Sequence, residues 1–322
     1  MANEKTFPHA NKIDDHKIIT VGVLGFGHMG QALCQRLSEG GFKTIVYDRD
    51  LERVQREAPP NVQVVSAIDR LAACDAILTS LPDDDALNSV TKSPGGLFST
   101  LRKNALHIAT STVSPALSRR LAASHLALSQ GFLVTAILGN PDIVHSGQAF
   151  VLAGGSENDL RRATPLLNLI AQRIFHVADD AGMASLMKVA CNALTGITLQ
   201  SMGETLALLS KAGIDRRRAF EILTGTMFDG RVHKAYGGKM VDERYLPAGM
   251  AATLAAKDLR LALAEAEQCR VPMPLAAVVH DRLVALLARG WDDLDWSALG
   301  ALAAWDAGME VNVPGAAAQM RN

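Results

Sequence analysis

The chain has 322 residues, 48% of them hydrophobic and 5% aromatic, and a formal net charge of −1. Its length suits two domains, and its apolar content suffices for a sizeable core. The balanced charge argues against nucleic acid or an anionic membrane as main partner, and no uncharged apolar run reaches the roughly 20 residues of a membrane span.

Residues 1–16 are polar and charged, without the apolar stretch of a signal peptide or anchor, and are expected to be a flexible leader. From 17 to 178 the pattern alternates. Short apolar runs at 18–24, 44–47, 62–65, 76–81, 105–109, 132–137 and 150–153 predict buried strands, and helix-period segments such as 29–39 and 115–130 lie between them. Strands without polar alternation, separated by helices, predict a parallel sheet covered on both faces. Ser114 before Pro115 has the form of an N-cap followed by proline at the first helical position.

After about residue 178 the pattern changes. Residues 181–211 predict one long helix, weakened locally by Thr195, Gly196 and Gly203, with Gly213 suited to its C-terminal cap. Residues 216–223, 251–268 and 275–288 also read as helical, and the triplet Arg216, Arg217, Arg218 reads as a solvated helix face. The expected fold class is α/β: a Rossmann, doubly wound sheet over 17–178, then an all-helical domain over 179–322, joined by a long interdomain helix. The helical domain is expected to supply a substrate cleft and an oligomer contact.

The stretch Gly25-Phe26-Gly27-His28-Met29-Gly30 carries the first chemistry. A lone Gly-x-Gly-x-x-Gly is a weak signal. This one follows an apolar strand and opens a helix, the context that dinucleotide binding requires. Gly25 permits the tight turn, Gly27 the approach of a pyrophosphate, and Gly30 close helix–strand packing. The helix N-terminus offers free N–H groups and partial positive charge to phosphates. Asp48 follows Gly30 by 18 residues, about where an acidic residue bonds the adenosine ribose. It disfavours a 2′-phosphate and so favours NAD over NADP, although the adjoining Arg49 could accept that phosphate.

Gly25 to Gly30 resembles the opening motif of the β-hydroxyacid dehydrogenases, within the superfamily of the 6-phosphogluconate dehydrogenase NAD-binding domain. This family includes 3-hydroxyisobutyrate dehydrogenase, tartronate semialdehyde reductase and glyoxylate/succinic semialdehyde reductases. Leu81-Pro82 is similar to the family's Leu-Pro after the fourth strand, and Ser111-Thr112-Val113-Ser114-Pro115 to its Ser-Thr-x-x-Pro loop. Residues 182–192 resemble its catalytic helix, with Lys188 and Asn192 in the Lys-x-x-x-Asn positions, and Lys257-Asp258-Leu259 resembles its Lys-Asp-Leu motif. The resemblance implies hydride transfer between nicotinamide and a small hydroxyacid or semialdehyde. It implies that Lys188 is the general acid in reduction and the base in oxidation, and that Asn192 orients it or the substrate. Thr112 would line the nicotinamide end, and Lys257 would reach the cofactor from the helical domain. A homodimer or homotetramer is implied as well.

One loop departs from the family. Where relatives commonly read Asp-Ala-Pro-Val-Ser-Gly-Gly, this chain reads Val134-Thr135-Ala136-Ile137-Leu138-Gly139-Asn140. Leu138 cannot donate a hydrogen bond to a substrate carboxylate. The backbone N–H groups of Gly139 and Asn140, and the Asn140 amide, could still do so. Met250 stands where relatives often carry phenylalanine. The pocket is therefore expected to be more apolar, or to accept a bulkier carbonyl compound.

The apolar Ala-Ile-Leu run also resembles imine reductases, which usually lack the catalytic lysine; Lys188 and Asn192 favour the hydroxyacid type. A catalytically silent dinucleotide-binding module is the remaining alternative. Arg231, expected in a loop after Gly230, could meet a carboxylate bidentately. Cys34, Cys74, Cys191 and Cys269 form no Cys-x-x-Cys pair, and His145, His233 and His280 lack ligand spacing, so no metal site is expected. Such cysteine usage fits a reduced, cytoplasmic setting.

Overall fold

The continuous apolar runs of the first half become strands that are buried on both faces. In a computed structural model describing residues 18–313, chain order runs β1 (Thr20–Leu24), α1 (His28–Glu39), β2 (Lys43–Tyr47), α2 (Leu51–Glu57), β3 (Gln63–Val64) and β4 (Ala76–Thr79). Then come α3 (Asp84–Lys92), α4 (Leu97–Thr100), β5 (Leu106–Ala109), α5 (Pro115–Ala127), β6 (Gly131–Leu138), α6 (Pro141–His145), β7 (Ala149–Gly154), α7 (Glu157–Ile170) and β8 (Ala171–Ala178). The expected leader lies outside the described residues. The strands form one 8-stranded sheet in the order β3-β2-β1-β4-β5-β6-β7-β8. Chain direction across the sheet reverses at β1 and β4. That switch point opens a crevice at the carboxyl ends of the strands.

Two strand expectations need correction. The sheet is mixed, because β7 runs antiparallel to β6, with Leu138 opposite Phe150. Residues 139–148 hold only the short α6, and a parallel return needs a crossover of about a dozen residues or more. The apolar run at 76–81 leaves the sheet after Thr79. A further strand, β8, pairs parallel to β7 and closes the sheet edge. It has no continuous apolar run, because Gln172, Arg173, Phe175 and His176 are exposed.

One polar chain crosses the Rossmann core. Thr79, His107, His125 and Gln130 connect through hydrogen bonds of 3.0, 2.8 and 2.8 Å. Gln130 Nε2 donates to the carbonyls of Phe98 and Leu101. Both imidazoles are fully buried, and burial holds both below the ordinary histidine range.

The second half is helical: α8 (Ala181–Lys211), α9 (Arg216–Thr224), α10 (Arg231–Val241), α11 (Ala252–Gln268), α12 (Pro274–Leu287) and α13 (Leu299–Asp306). The long α8 is unbroken. A Cβ at Gly203 would stand 2.8 Å from the Gly300 Cα, so this glycine permits the close crossing of α8 and α13. Gly213, at φ +90°, follows the last turn as a left-handed cap, donating to the Ser210 carbonyl. Ser114 Oγ caps α5 by accepting from Leu117 N–H, with Pro115 next. Arg216, Arg217 and Arg218 pair with Glu243, Asp242 and Glu221. Arg231 is the first residue of α10 rather than a loop residue. Gly237 and Gly238 mask this helix in the sequence, and a Cβ at Gly237 would meet the Phe220 ring at 2.7 Å. Among the described residues no helix is long and apolar enough to cross a membrane.

Candidate active site

The glycine turn is built by contact, not by composition alone. Gly25 has φ +101°, and a Cβ there would lie 2.2 Å from the Ser80 carbonyl oxygen. A Cβ on Gly30 would lie 2.0 Å from the Gly25 carbonyl oxygen, which explains the close packing of α1 on β1. Gly27 differs. A Cβ there meets nothing within 4 Å, so its side of the turn is an open cradle that a side chain would fill. Gly27 is the N-cap of α1, no side chain caps this end, and His28 and Met29 begin the helix. Free amides, helix polarity and open space together fit a pyrophosphate.

Asp48 lies where expected, at the end of β2, but its carboxylate also holds the turn. Oδ2 accepts the Phe26 N–H at 2.6 Å, and Oδ1 accepts the Asp50 N–H at 2.9 Å. The Arg53 guanidinium stands 3.6 Å from Asp48, whereas Arg49 is exposed. Arg53 escaped the sequence reading because only the first turn of α2 brings it back to β2.

Lys188 and Asn192 project from α8, four residues apart and hence on one face. Lys188 Nζ donates to the Ile137 carbonyl at 2.8 Å, directly before Leu138 in the candidate substrate loop. Burial pushes its pKa below the ordinary lysine range; Asp258 and Cys191 oppose the shift, and Lys257 adds to it. Asn192 Nδ2 donates to Asp258 Oδ2 at 2.6 Å, and Asp258 is buried. Lys257 lies 3.1 Å from Asp258 Oδ1 and donates to the carbonyls of Pro82, at 2.8 Å, and Thr112, at 2.6 Å. One ammonium therefore ties α11 to the loops after β4 and β5. Leu81 N–H is held by Ser111 Oγ at 2.8 Å, which fixes those two loops to each other. Asp258 holds Lys257 and Asn192, and its charge acts on Lys188. Its only sequence signal was its place between Lys257 and Leu259.

The structure brings the substrate-loop candidates together with Met250. Leu138, Gly139 and Asn140 leave the end of β6, and the position of a Gly249 Cβ is 3.6 Å from the Asn140 Cβ. The Asn140 amide oxygen is already used, accepting Ile143 N–H at 2.9 Å to cap α6. That narrows the expected role of Asn140 to its remaining donors. The Met250 segment hangs on the buried Asp295, which the sequence did not single out. Asp295 Oδ2 accepts from Lys239 Nζ at 2.6 Å and Gly249 N–H at 2.9 Å, and Trp296 N–H donates to the Met250 carbonyl at 3.0 Å. Among the described residues no group of His, Cys, Asp or Glu is arranged to hold a metal ion.

The chain is similar to known proteins over most of its length. The family described as the NAD binding domain of 6-phosphogluconate dehydrogenase matches residues 20–178. The NAD-binding domain of NADP-dependent 3-hydroxyisobutyrate dehydrogenase matches residues 182–303. The uncharacterized oxidoreductase YfjR of Bacillus subtilis (strain 168) is 32% identical, over 87% of this chain and 98% of its own. The crystal structure of 3-hydroxyisobutyrate dehydrogenase from Salmonella typhimurium superimposes with a TM-score of 0.78 at 23% identity, covering 88% of this chain and 99% of that one. An imine reductase from Myxococcus stipitatus in complex with NADP+ shares the fold less closely, with a TM-score of 0.61 at 21% identity over 87% of this chain and 98% of that one.

Proposed function

The chain belongs to the β-hydroxyacid dehydrogenase family, and from that premise we propose that it transfers hydride between a nicotinamide dinucleotide and a small hydroxyacid or its semialdehyde. The carrying observation is the Lys188 ammonium, part-buried and held 2.8 Å from the backbone of the candidate substrate loop. The dinucleotide supplies the hydride. Lys188 supplies the proton to the carbonyl oxygen in reduction and withdraws it in oxidation. Asn192 and Asp258 keep α8 and α11 aligned on that proton path, and the Asp258 charge opposes loss of the Lys188 proton. Asp258→Asn should therefore move the alkaline limb of the reduction rate to lower pH. A pH profile of kcat with an unmoved limb would refute this coupling.

The direct test is a reductase screen of aldehydes, oxo acids and imines with NADH and NADPH in parallel. Turnover of oxo acids or semialdehydes supports the reading, and turnover confined to cyclic imines overturns it. The apolar Leu138 is what an imine reductase would favour; Lys188 opposes that alternative and a silent dinucleotide-binding role.

NADH is the preferred cofactor in this reading. The Asp48 carboxylate stands at the end of β2, where a 2′-phosphate would meet like charge, and Arg53 offsets that charge only in part. Fluorescence titration should give NADH a Kd at least roughly tenfold below that of NADPH, the scale of one unscreened charge contact. Equal constants would remove Asp48 from this role.

A second copy of the chain is the proposed protein partner. Met183, Met187, Leu194 and Leu208 repeat along one face of α8 and stay exposed, Leu194 by 66% and Leu208 by 68%. An apolar stripe of that length marks an association surface. Light scattering should show a dimer or larger, and Leu194→Glu should dissociate it. The four free cysteines support a reducing, cytoplasmic setting.

A further inference from the structure

Among the described residues, Arg231 is the cation of α10 left without an acidic partner. Lys234 pairs with Asp229 and Lys239 with Asp295, but among the described residues no carboxylate lies within ion-pair distance of Arg231. Its guanidinium lies instead over the Phe150 ring, 5.3 Å from the centroid. Phe150 is the cross-strand partner of Leu138. Directly opposed residues leave a sheet on the same face about 5 Å apart. This is the face whose Ala136 and Leu152 cluster with Ala184 of α8. A line of groups therefore runs from Lys188, at the Ile137 carbonyl, past Leu138 and Phe150 to Arg231.

We propose that Arg231 binds the substrate carboxylate, in place of the anchor that Leu138 cannot provide, and that the substrate is correspondingly a longer ω-oxo or ω-hydroxy acid. This rests on the hydride-transfer reading above. Leucine and phenylalanine form an apolar strip suited to methylene groups, with a cation at its far end. A guanidinium can stack on an aromatic ring and still present its N–H fork to a carboxylate. A carboxylate held there lies farther from the reacting carbon than one held at position 138, by at least one strand spacing, roughly 5 Å. Acids of five or six carbons span that distance, whereas glyoxylate cannot.

The test compares kcat and KM for ω-oxo acids of two to six carbons, and for neutral hexanal, in the full-length wild type, Arg231→Met and Arg231→Lys. Methionine keeps an apolar stem over Phe150 and removes the charge. The wild type should prefer 6-oxohexanoate to glyoxylate. Arg231→Met should raise KM for 6-oxohexanoate roughly 10- to 100-fold, the scale of a lost charge-assisted pair, with kcat and hexanal turnover unchanged. Arg231→Lys should restore part of the loss. A purely packing role would move acid and aldehyde together, and that result, an unchanged KM, or a wild-type preference for glyoxylate overturns the proposal. A wild type that reduces no carbonyl compound in the series refutes the hydride-transfer reading itself, and the anchor with it. Selective reduction that ignores Arg231 refutes the anchor alone.

Discussion

Lys188→Ala is expected to lower kcat by about 10²–10⁴-fold, the contribution of a positioned acid or base, while NADH affinity stays within roughly twofold of wild type. The lysine touches the Ile137 carbonyl, at the end of β6, whereas the glycine turn lies at the β1 and β4 switch point. Chemistry and dinucleotide affinity should therefore separate. Lys188→Met, which keeps the apolar stem, guards against a packing defect; both variants must lose turnover. The sign of the pH dependence follows from the protonation state. Reduction needs the ammonium and should fall as pH rises through the Lys188 pKa, which burial sets below the ordinary lysine range. Oxidation needs the free amine and should rise over the same interval. Rapid-quench or steady-state rates in both directions check this, and full turnover in Lys188→Ala would end the assignment.

The second large effect concerns stability in acid. The polar chain in the Rossmann core has one consistent arrangement of protons. Gln130 Nε2 donates to two carbonyls, so its Oε1 accepts, and His125 Nδ1 must donate. His125 Nε2 then accepts from His107 Nδ1, and His107 Nε2 accepts from the Thr79 hydroxyl. Both imidazoles are neutral in this arrangement, and their burial opposes a further proton on either. Burial pushes His125 down to about 4 from an unfolded value near 6.5, and pushes His107 well below that unfolded value. The unfolded chain therefore takes up protons between pH 6.5 and 4 that the folded chain refuses. Stability from this pair is complete above pH 6.5 and is lost as pH falls toward 4. For His125 alone the loss is on the order of 3 kcal/mol. Denaturant unfolding at a series of pH values should show it. His125→Gln, which can still donate and accept, should flatten the dependence in that window; an unchanged slope would show that other groups control acid unfolding.

How far these features could be read beforehand depends on the kind of signal. Buried strands such as β1, β4 and β5 announce themselves because both faces exclude water and most of their residues are apolar. The edge strand β8 does not, since half of it faces solvent. The reversal of β7 is a property of connection length, not of the strand's own residues. Helix α10 was hidden by two glycines whose purpose is contact with Phe220. Within the candidate site, Gly25, Gly27 and Gly30 were legible from their spacing, whereas Lys188 and Asn192 were reached through the family resemblance. Residues that act by meeting something distant were not legible. Asp258 finds Asn192 across 66 positions, and Asp295 finds Lys239 across 56, and no local pattern encodes either meeting.

The β6–β7 ladder also bears on how this protein can change. Leu138 and Phe150 are joined through main-chain pairing, which is blind to the side chains it carries. If the proposed anchor is right, a replacement at either position would alter what the crevice recognises while the main-chain ladder that presents it stays in place. Selection can thus try new substrates at this spot with little danger to folding, while Gly25 and Gly30, whose backbones touch their neighbours, have no such latitude. Recognition of the acid and recognition of the dinucleotide can then diverge at different speeds within one chain.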